Sequence, residues 1–266
     1  MTPIGRLHHI ARYRRGDHVH FGRLEGERFA RLTGPPWISA VDTGAHDSVS
    51  DVVLLAPVVP TKIVCVGLNY AAHVAESETV LPAERKPEEP LLFLKPPSAV
   101  VGTGEAIRYP AMVTRLDPEA EMGVVIGRRA HAVDPDQAWS HVAGLTCFND
   151  VSARDLQRRD GQWTRAKGFD TFAPLGPWVT VGLDPQGLNV ECRVNGVVRQ
   201  RGNTRDLLFP VSFLVSFISQ IMTLEPGDVI ATGTPAGIAP VEVGDRIEVE
   251  VEGVGVLENH VERDSE

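Results

Sequence analysis

Glu119, Glu121 and Asp150 are the residues whose type and spacing point most directly to chemistry. In TRLDPEAEMGVVIG (114–127) the acids Asp117, Glu119 and Glu121 recur at every second position before the chain turns apolar. A strand would carry all three on one face, where like charges repel. A hard divalent cation relieves such repulsion, because it takes oxygen ligands and accepts carboxylates from separate elements. Asp150, at the end of the next apolar segment AGLTCFND, supplies a third carboxylate beside Glu119 and Glu121. A set of three carboxylates favours Mg2+ or Mn2+ over zinc. Remaining positions would take water or substrate oxygens, as catalysis by polarisation requires. The apolar run Val124 to Ile126 indicates a buried strand, so the acids belong at its end. Asp117 precedes Pro118 and is expected at a turn or edge.

Other reactive side chains lie close by. NDVSARDLQRRDGQWTRAKGFD brings Arg154 and Lys167 near the acids. AAHVAES fits one or two helical turns, on which His73 and Glu76 are i, i+3 neighbours. Blander readings stand beside these. Lys167 alone is a solvated lysine, and Arg154 with Asp155 a local ion pair of little worth. His18 and His20 read as surface residues, Trp163 and Phe172 as packing, and Gly233 and Gly237 as turn-formers.

The elements that must position these groups are mostly strands. HVHFGRLEGERFARL shows two alternating runs around Glu25-Gly26, and VNGVV (194–198) is a tight-hairpin pattern. Residues 1–58 read as a small β module and 59–266 as the main domain, with a strand over 62–67. The polar, proline-rich stretch between KIVCVG and LLFLK reads as a functional loop or lid. DPDQAWSHVAG has Asp134 as N-cap, Pro135 at N1 and Gly144 as a stop, which predicts a helix. A second helix is expected over 210–222. Composition sets the outer limits. With 42% hydrophobic and 23% charged residues the chain is ordinary for a globular protein, and its net charge of -9 argues against a general nucleic-acid binder. Cys65, Cys147 and Cys192, in apolar contexts, read as buried thiols of a cytoplasmic protein. No stretch suits a secretory signal or a membrane span.

GLNYAAHVAE, LLFLKPPSAVVG, E-x-E followed by VVIG, NDVSARD, QWTRAKGFDTFAPLGPW, VNGVVRQ and LEPGDVIATGTPAG occur in one order over 62 to about 260. Together they resemble the fumarylacetoacetate hydrolase family. That resemblance implies a mixed β-roll with few helices, preceded by a small β-rich N-terminal module. It implies Mg2+ or Mn2+, with Ca2+ a structural substitute, and a homodimer acting on a small 2-oxo acid or diacid. Glu119, Glu121 and Asp150 match the family's metal ligands, and Lys167 its active-site lysine. His73 and Glu76 match the lid dyad that activates water in hydrolytic members. Arg154 and Gln157 match substrate-contacting positions, and Thr234 the residue that closes on the substrate's carboxylate end. One departure is Asp117-Pro118-Glu119, where many members read D-Y-E.

The implied reaction is C–C bond hydrolysis of an acylpyruvate-type substrate through an enolate that the metal stabilises, favoured by the presence of His73 and Glu76. The same residues would serve an isomerase or decarboxylase of diacids such as 2-hydroxyhepta-2,4-diene-1,7-dioate or 5-oxopent-3-ene-1,2,5-tricarboxylate, or an oxaloacetate decarboxylase. A diacid needs basic residues at both ends of its pocket, and Lys95 in FLKPPS is a candidate for the far end.

Overall fold

The computed structural model describes residues 7–76 and 87–264, without the side chains of residues 75 and 76. The chain begins with a meander of β1 (His8–Arg15), β2 (His18–Glu25), β3 (Arg28–Leu32) and β4 (Asp42–Ser48). β5 (Val53–Leu55) and β6 (Ile63–Gly67) lead to α1 (Ala71–Glu76). After the gap come β7 (Leu91–Lys95), β8 (Val100–Val101), β9 (Ala106–Tyr109), β10 (Leu116–Asp117) and β11 (Ala120–Ile126). α2 (Pro135–Ala138), β12 (Val142–Asn149), β13 (Ser152–Ala153), α3 (Arg154–Asp160) and α4 (Thr164–Lys167) follow. The chain closes with β14 (Ala173–Val181), β15 (Asn189–Val194), β16 (Val197–Asn203), α5 (Val211–Ile221), β17 (Val229–Ala231), β18 (Arg246–Val251) and β19 (Gly255–Arg263). The protein is thus mostly β with few helices, as expected.

One large sheet runs β4-β3-β2-β1-β14-β12-β11-β17-β6-β7, and a five-stranded sheet runs β16-β15-β18-β19-β9. The main core lies between them. It takes Val64 and Val66 of β6, Val124 and Ile126 of β11, and Val190, Val249 and Leu257 of the smaller sheet. The alternate residues Ile63, Cys65 and Val125 face a second core with Phe148 and Leu175. β6, and β11 from Met122 onward, are buried on both faces, which is why they read as unbroken apolar runs. The N-terminal strands extend the same sheet, because β1 pairs antiparallel with β14.

Local expectations hold where turn chemistry sets them. Asn195 and Gly196 both have positive φ, 52° and 78°, between β15 and β16, the pattern a two-residue hairpin turn demands. Two expectations need correction. The acid-bearing segment is not one strand: β10 ends at Asp117 and β11 begins at Ala120, with Pro118 in the break. The helix from Asp134 stops after one turn, because Val142 already pairs with Ile126 as β12 begins. All three cysteines are buried and free. Among the described residues no helix is long and apolar enough to cross a membrane.

Candidate active site

β11 and β12 pair antiparallel with Ala120 opposite Asn149, so the start of one strand meets the end of the other. This register brings Glu119 and Glu121 to Asp150. Their carboxylate oxygens lie within 4.8 Å of one another, and all three residues are buried. The Asn149 side chain accepts from the Glu119 N–H at 3.0 Å, and the Asp150 N–H donates to the Glu119 carbonyl at 2.9 Å, fixing the junction. Gly233 donates its N–H to a Glu121 oxygen at 2.8 Å. Its φ is 101°, and a Cβ there would stand 2.7 Å from that of Asn69, so only glycine fits. This glycine does more than shape a turn.

Three cations converge on the acids. The Lys167 ammonium donates to Glu119 at 2.9 Å and to Asp150 at 2.6 Å. Lys95 donates to the other Asp150 oxygen and to the Val151 carbonyl at 2.9 Å. It therefore sits at the acid cluster itself, not at a far end of the pocket. Arg154 is held by Asp117 at 2.9 Å, bonds Glu119 with its second nitrogen, and donates to Gln157 at 2.5 Å. Asp117 ends β10, an edge strand paired with β13, and it is fully buried there, pairs with Arg115 as well and so also aims Arg154. Asp155 bonds the Thr114 hydroxyl at 2.9 Å, and no ion pair with Arg154 forms.

The titration tendencies follow from this layout. Burial works against ionising Glu119, but Lys167 and Arg154 outweigh it and hold its carboxyl well below the usual range. Burial together with the charges of Asp150 and Glu119 pushes Glu121 well above that range. Burial lowers the Lys95 ammonium against the pull of Asp150, whereas Asp150 and Glu119 more than offset burial at Lys167 and raise it. Lys167 is therefore a fixed cation. Among the described residues Glu121 has no cationic partner, and its one hydrogen bond is to Gly233. A buried carboxylate next to two others, lacking a counter-ion, suits a divalent cation with oxygen ligands.

One cavity of about 30 Å3 gathers nearly all the expected site residues. His73, Gln157 and Thr234 line it with Glu119, Glu121, Asp150, Arg154 and Lys167. His73 is 6% exposed and contributes to the field on Glu119. Glu76 ends α1, but its side chain lies outside the described residues, as does the rest of the expected lid through residue 86. Thr234 donates to the Ala120 carbonyl at 2.9 Å and accepts from Gln200 at 2.8 Å. Gln200 also accepts from the Ala120 N–H at 2.9 Å, so it ties Thr234 to the start of β11. It stands in the quoted VNGVVRQ, yet only burial marks its function. Trp163 lines the cavity rather than merely packing, edge-on to Phe93 with ring centres 5.1 Å apart. Phe172 does belong to the core.

The chain is similar to known proteins along most of its length. The family description Fumarylacetoacetate (FAA) hydrolase C-terminal matches residues 62–262, and Rv2993c-like, N-terminal matches 8–57. The crystal structure of 2-hydroxyhepta-2,4-diene-1,7-dioate isomerase from Mycobacterium marinum superposes with a TM-score of 0.89 at 41% identity, covering 97% of this chain and 100% of that one. The mitochondrial oxaloacetate tautomerase FAHD2A of Bos taurus is 44% identical over 225 residues, 80% of this chain and 70% of the relative. Maleylpyruvate hydrolase from Sphingobium sp. SYK-6, solved with manganese (II) and pyruvate, is 28% identical with a TM-score of 0.77, covering 97% of this chain and 100% of that one.

Proposed function

The chain belongs to the fumarylacetoacetate hydrolase family, and from that premise we propose a divalent-metal-dependent enzyme that shifts a proton on a small 2-oxo acid. The observation that carries this reading is the meeting of three buried acids with Lys167, Arg154 and His73 in one cavity. Glu119, Glu121 and Asp150 would hold Mg2+ or Mn2+. When bound, such an ion supplies a Lewis acid for the carboxylate and keto oxygens of the substrate.

The chain's own residues do the rest. Lys167 and Arg154 remain charged and meet negative charge as it develops on the keto oxygen. Gln157 and Asp117 keep the Arg154 guanidinium aimed at the cavity. Phe93 and Trp163 exclude water from the reacting carbons. His73 takes a proton from the carbon beside the keto group and returns it to the keto oxygen, which gives the enol, or to a conjugated carbon, which gives the isomer. The net change is tautomerisation or isomerisation. The isomerase and the tautomerase among the relatives, at 41% and 44% identity, favour this over the hydrolases, at 35% and 28%.

C–C bond hydrolysis is the second reading. It is favoured by the cavity that His73 shares with the three acids, which has room for a water molecule. There His73 would take its proton from that water. One set of assays separates the readings: oxaloacetate and acetylpyruvate, each followed by enol absorbance and by pyruvate release, with Mn2+ or with excess EDTA. Metal-dependent loss of the oxaloacetate enol without pyruvate is the expected result. Pyruvate and acetate from acetylpyruvate would establish hydrolysis instead, and pyruvate from oxaloacetate would establish decarboxylation. No metal-dependent change with either compound would sink the proposal. A homodimer, implied by the family, would show as a doubled mass in light scattering.

A further inference from the structure

The turn that delivers His73 is held in a conformation its residues do not favour. β6 ends at Gly67 and α1 begins at Ala71, so Leu68, Asn69 and Tyr70 make the connection. Leu68 is buried, lines the acid cavity and has a φ of 58°. Left-handed backbone is strained for a residue with a side chain and persists only where the surroundings impose it. Asn69, fully buried, supplies that constraint. Its Nδ2 donates to the Thr232 carbonyl at 2.7 Å and to the Phe209 carbonyl at 3.1 Å, and its Oδ1 accepts from the Phe209 N–H at 2.8 Å. The Asn69 carbonyl accepts from the Leu208 N–H at 2.8 Å. Tyr70 then bridges to Leu207, and its carbonyl accepts from the Val74 N–H at 3.0 Å, the first hydrogen bond of α1. His73 lies in that turn of helix. Ala71 and Ala72 beside it are exposed, so α1 itself gives the turn little packing.

We propose that Asn69 is a positioning residue for proton transfer: its side-chain clamp sets where α1 leaves β6, and so where the His73 imidazole stands at the acid cavity. It rests on His73 being the base, the role proposed above. The two ends of the clamp differ in what else holds them. Thr232 is tied to β11 independently, because its N–H and its hydroxyl both donate to the Met122 carbonyl, at 3.1 and 2.8 Å. Gly233, the donor to Glu121, therefore keeps its place without Asn69. On the other side, the backbone links to Leu207 and Leu208 hold the turn past Leu68, not at it. Without the clamp Leu68 relaxes toward negative φ, which redirects α1 and carries His73 away from its working position. Loss of Asn69 thus strikes the base and spares the metal ligands.

The test uses the full chain with Mn2+ and oxaloacetate, following loss of the enol per folded molecule. Asn69→Ala should lower kcat about 100-fold, the effect of a misplaced group, and leave KM and the calorimetric Kd for Mn2+ unchanged. In a His73→Ala background the same substitution should cause no further loss, since a positioning residue has no effect once the group it positions is gone. Asn69→Ser, whose hydroxyl can satisfy one of the freed carbonyls, should show the same pattern, and it replaces the alanine variant if that does not fold. Position is also read without substrate. Bound Mn2+ should broaden the His73 ring-proton resonance, assigned by its absence in His73→Ala, and should broaden it much less in either Asn69 variant. Unchanged kcat, a fall in Mn2+ affinity that matches the fall in kcat, a full further loss in the His73→Ala background, or undiminished broadening overturns the inference. An inactive wild type that shows the broadening would overturn the proposed reaction and leave the position of His73 to decide this inference. Wild-type turnover in His73→Ala, or no broadening in the wild type, would overturn His73 as the base and this inference with it.

Discussion

Two buried clusters of charge, one in the N-terminal strands and one at the junction of β11 and β12, use the same side chains to opposite ends. In the first, Asp47 is 1% exposed and accepts from Tyr13 at 2.6 Å, from Arg31 at 2.9 and 2.7 Å, and from Arg15. One acid meets two guanidinium groups. The Arg31 hydrogen bond, against the cost of burial and with help from Tyr13, holds its carboxyl well below the usual range. In the second, Asp117, Glu119 and Asp150 take up Arg115, Lys95, Arg154 and Lys167, and among the described residues Glu121 is left with a single backbone donor. The first cluster is saturated and holds strands together. The second leaves Glu121 without a paired cation at the place where a metal ion and an anionic substrate would bind. Burial of ionisable groups does not by itself mark function; the balance of partners does.

The sharpest way to break that contrast is to remove one acid from each cluster. Mn2+ should raise the melting temperature of the wild type; Glu121→Gln should abolish that rise, lower turnover by about 10³-fold, and leave the metal-free melting temperature no lower. Asp47→Ala should behave inversely. It strands Arg31 and Tyr13 and should cost about 3 kcal/mol, seen as a fall of roughly 6–12 °C in melting temperature, with turnover per folded molecule unchanged. Equal effects of both substitutions on turnover would erase the distinction. Gly233→Ala lies between the two. Its positive φ and the clash with Asn69 should cost about 2 kcal/mol, and misplacing the donor to Glu121 should weaken Mn2+ binding about tenfold.

Acid titration sharpens the comparison further. The Asp47 carboxyl is depressed in the folded state, so its stabilisation is full above the ordinary carboxylate value of 3.8 and is lost as pH falls below it. Wild type should therefore lose its stability advantage over Asp47→Asn as denaturant midpoints are followed from pH 5 downward. A gap that stays constant would refute the assignment. The smallest effect is expected at the surface. Arg165→Ala breaks an exposed pair with Asp160 and should leave the melting temperature unchanged within error.

Much of the site was legible because its ligands lie on neighbouring segments. Glu119, Glu121 and Asp150 stand at the facing ends of one antiparallel pair, and period-two alternation with an apolar follow-on predicts such a pair. Pro118 ends the strand of Asp117, in line with a turn or edge position, but the contact of Asp117 with Arg154 joins residues 37 apart and no local pattern encodes it. Lys95 reaches Asp150 across 55 residues, and nothing local in FLKPPS foretells that contact. The place of Trp163 on the cavity wall depends on where β7 puts Phe93, which no local pattern encodes. The fold's large-scale order was less legible for the same reason: strand alternation gives faces, whereas neighbours are set by distant chain segments.

The pairing of β1 with β14 bears on attempts to trim this protein to a minimal catalyst. His8, His9 and Ile10 lie against Val181, Thr180 and Val179, so excising the first 58 residues would strip one ladder from a strand that also pairs with β12 of the acid site. The freed backbone donors and acceptors would form an adhesive border able to recruit another chain. A shortened version would therefore precipitate or assemble into new oligomers unless a replacement strand, or charged residues along Val179–Val181, were supplied to seal it.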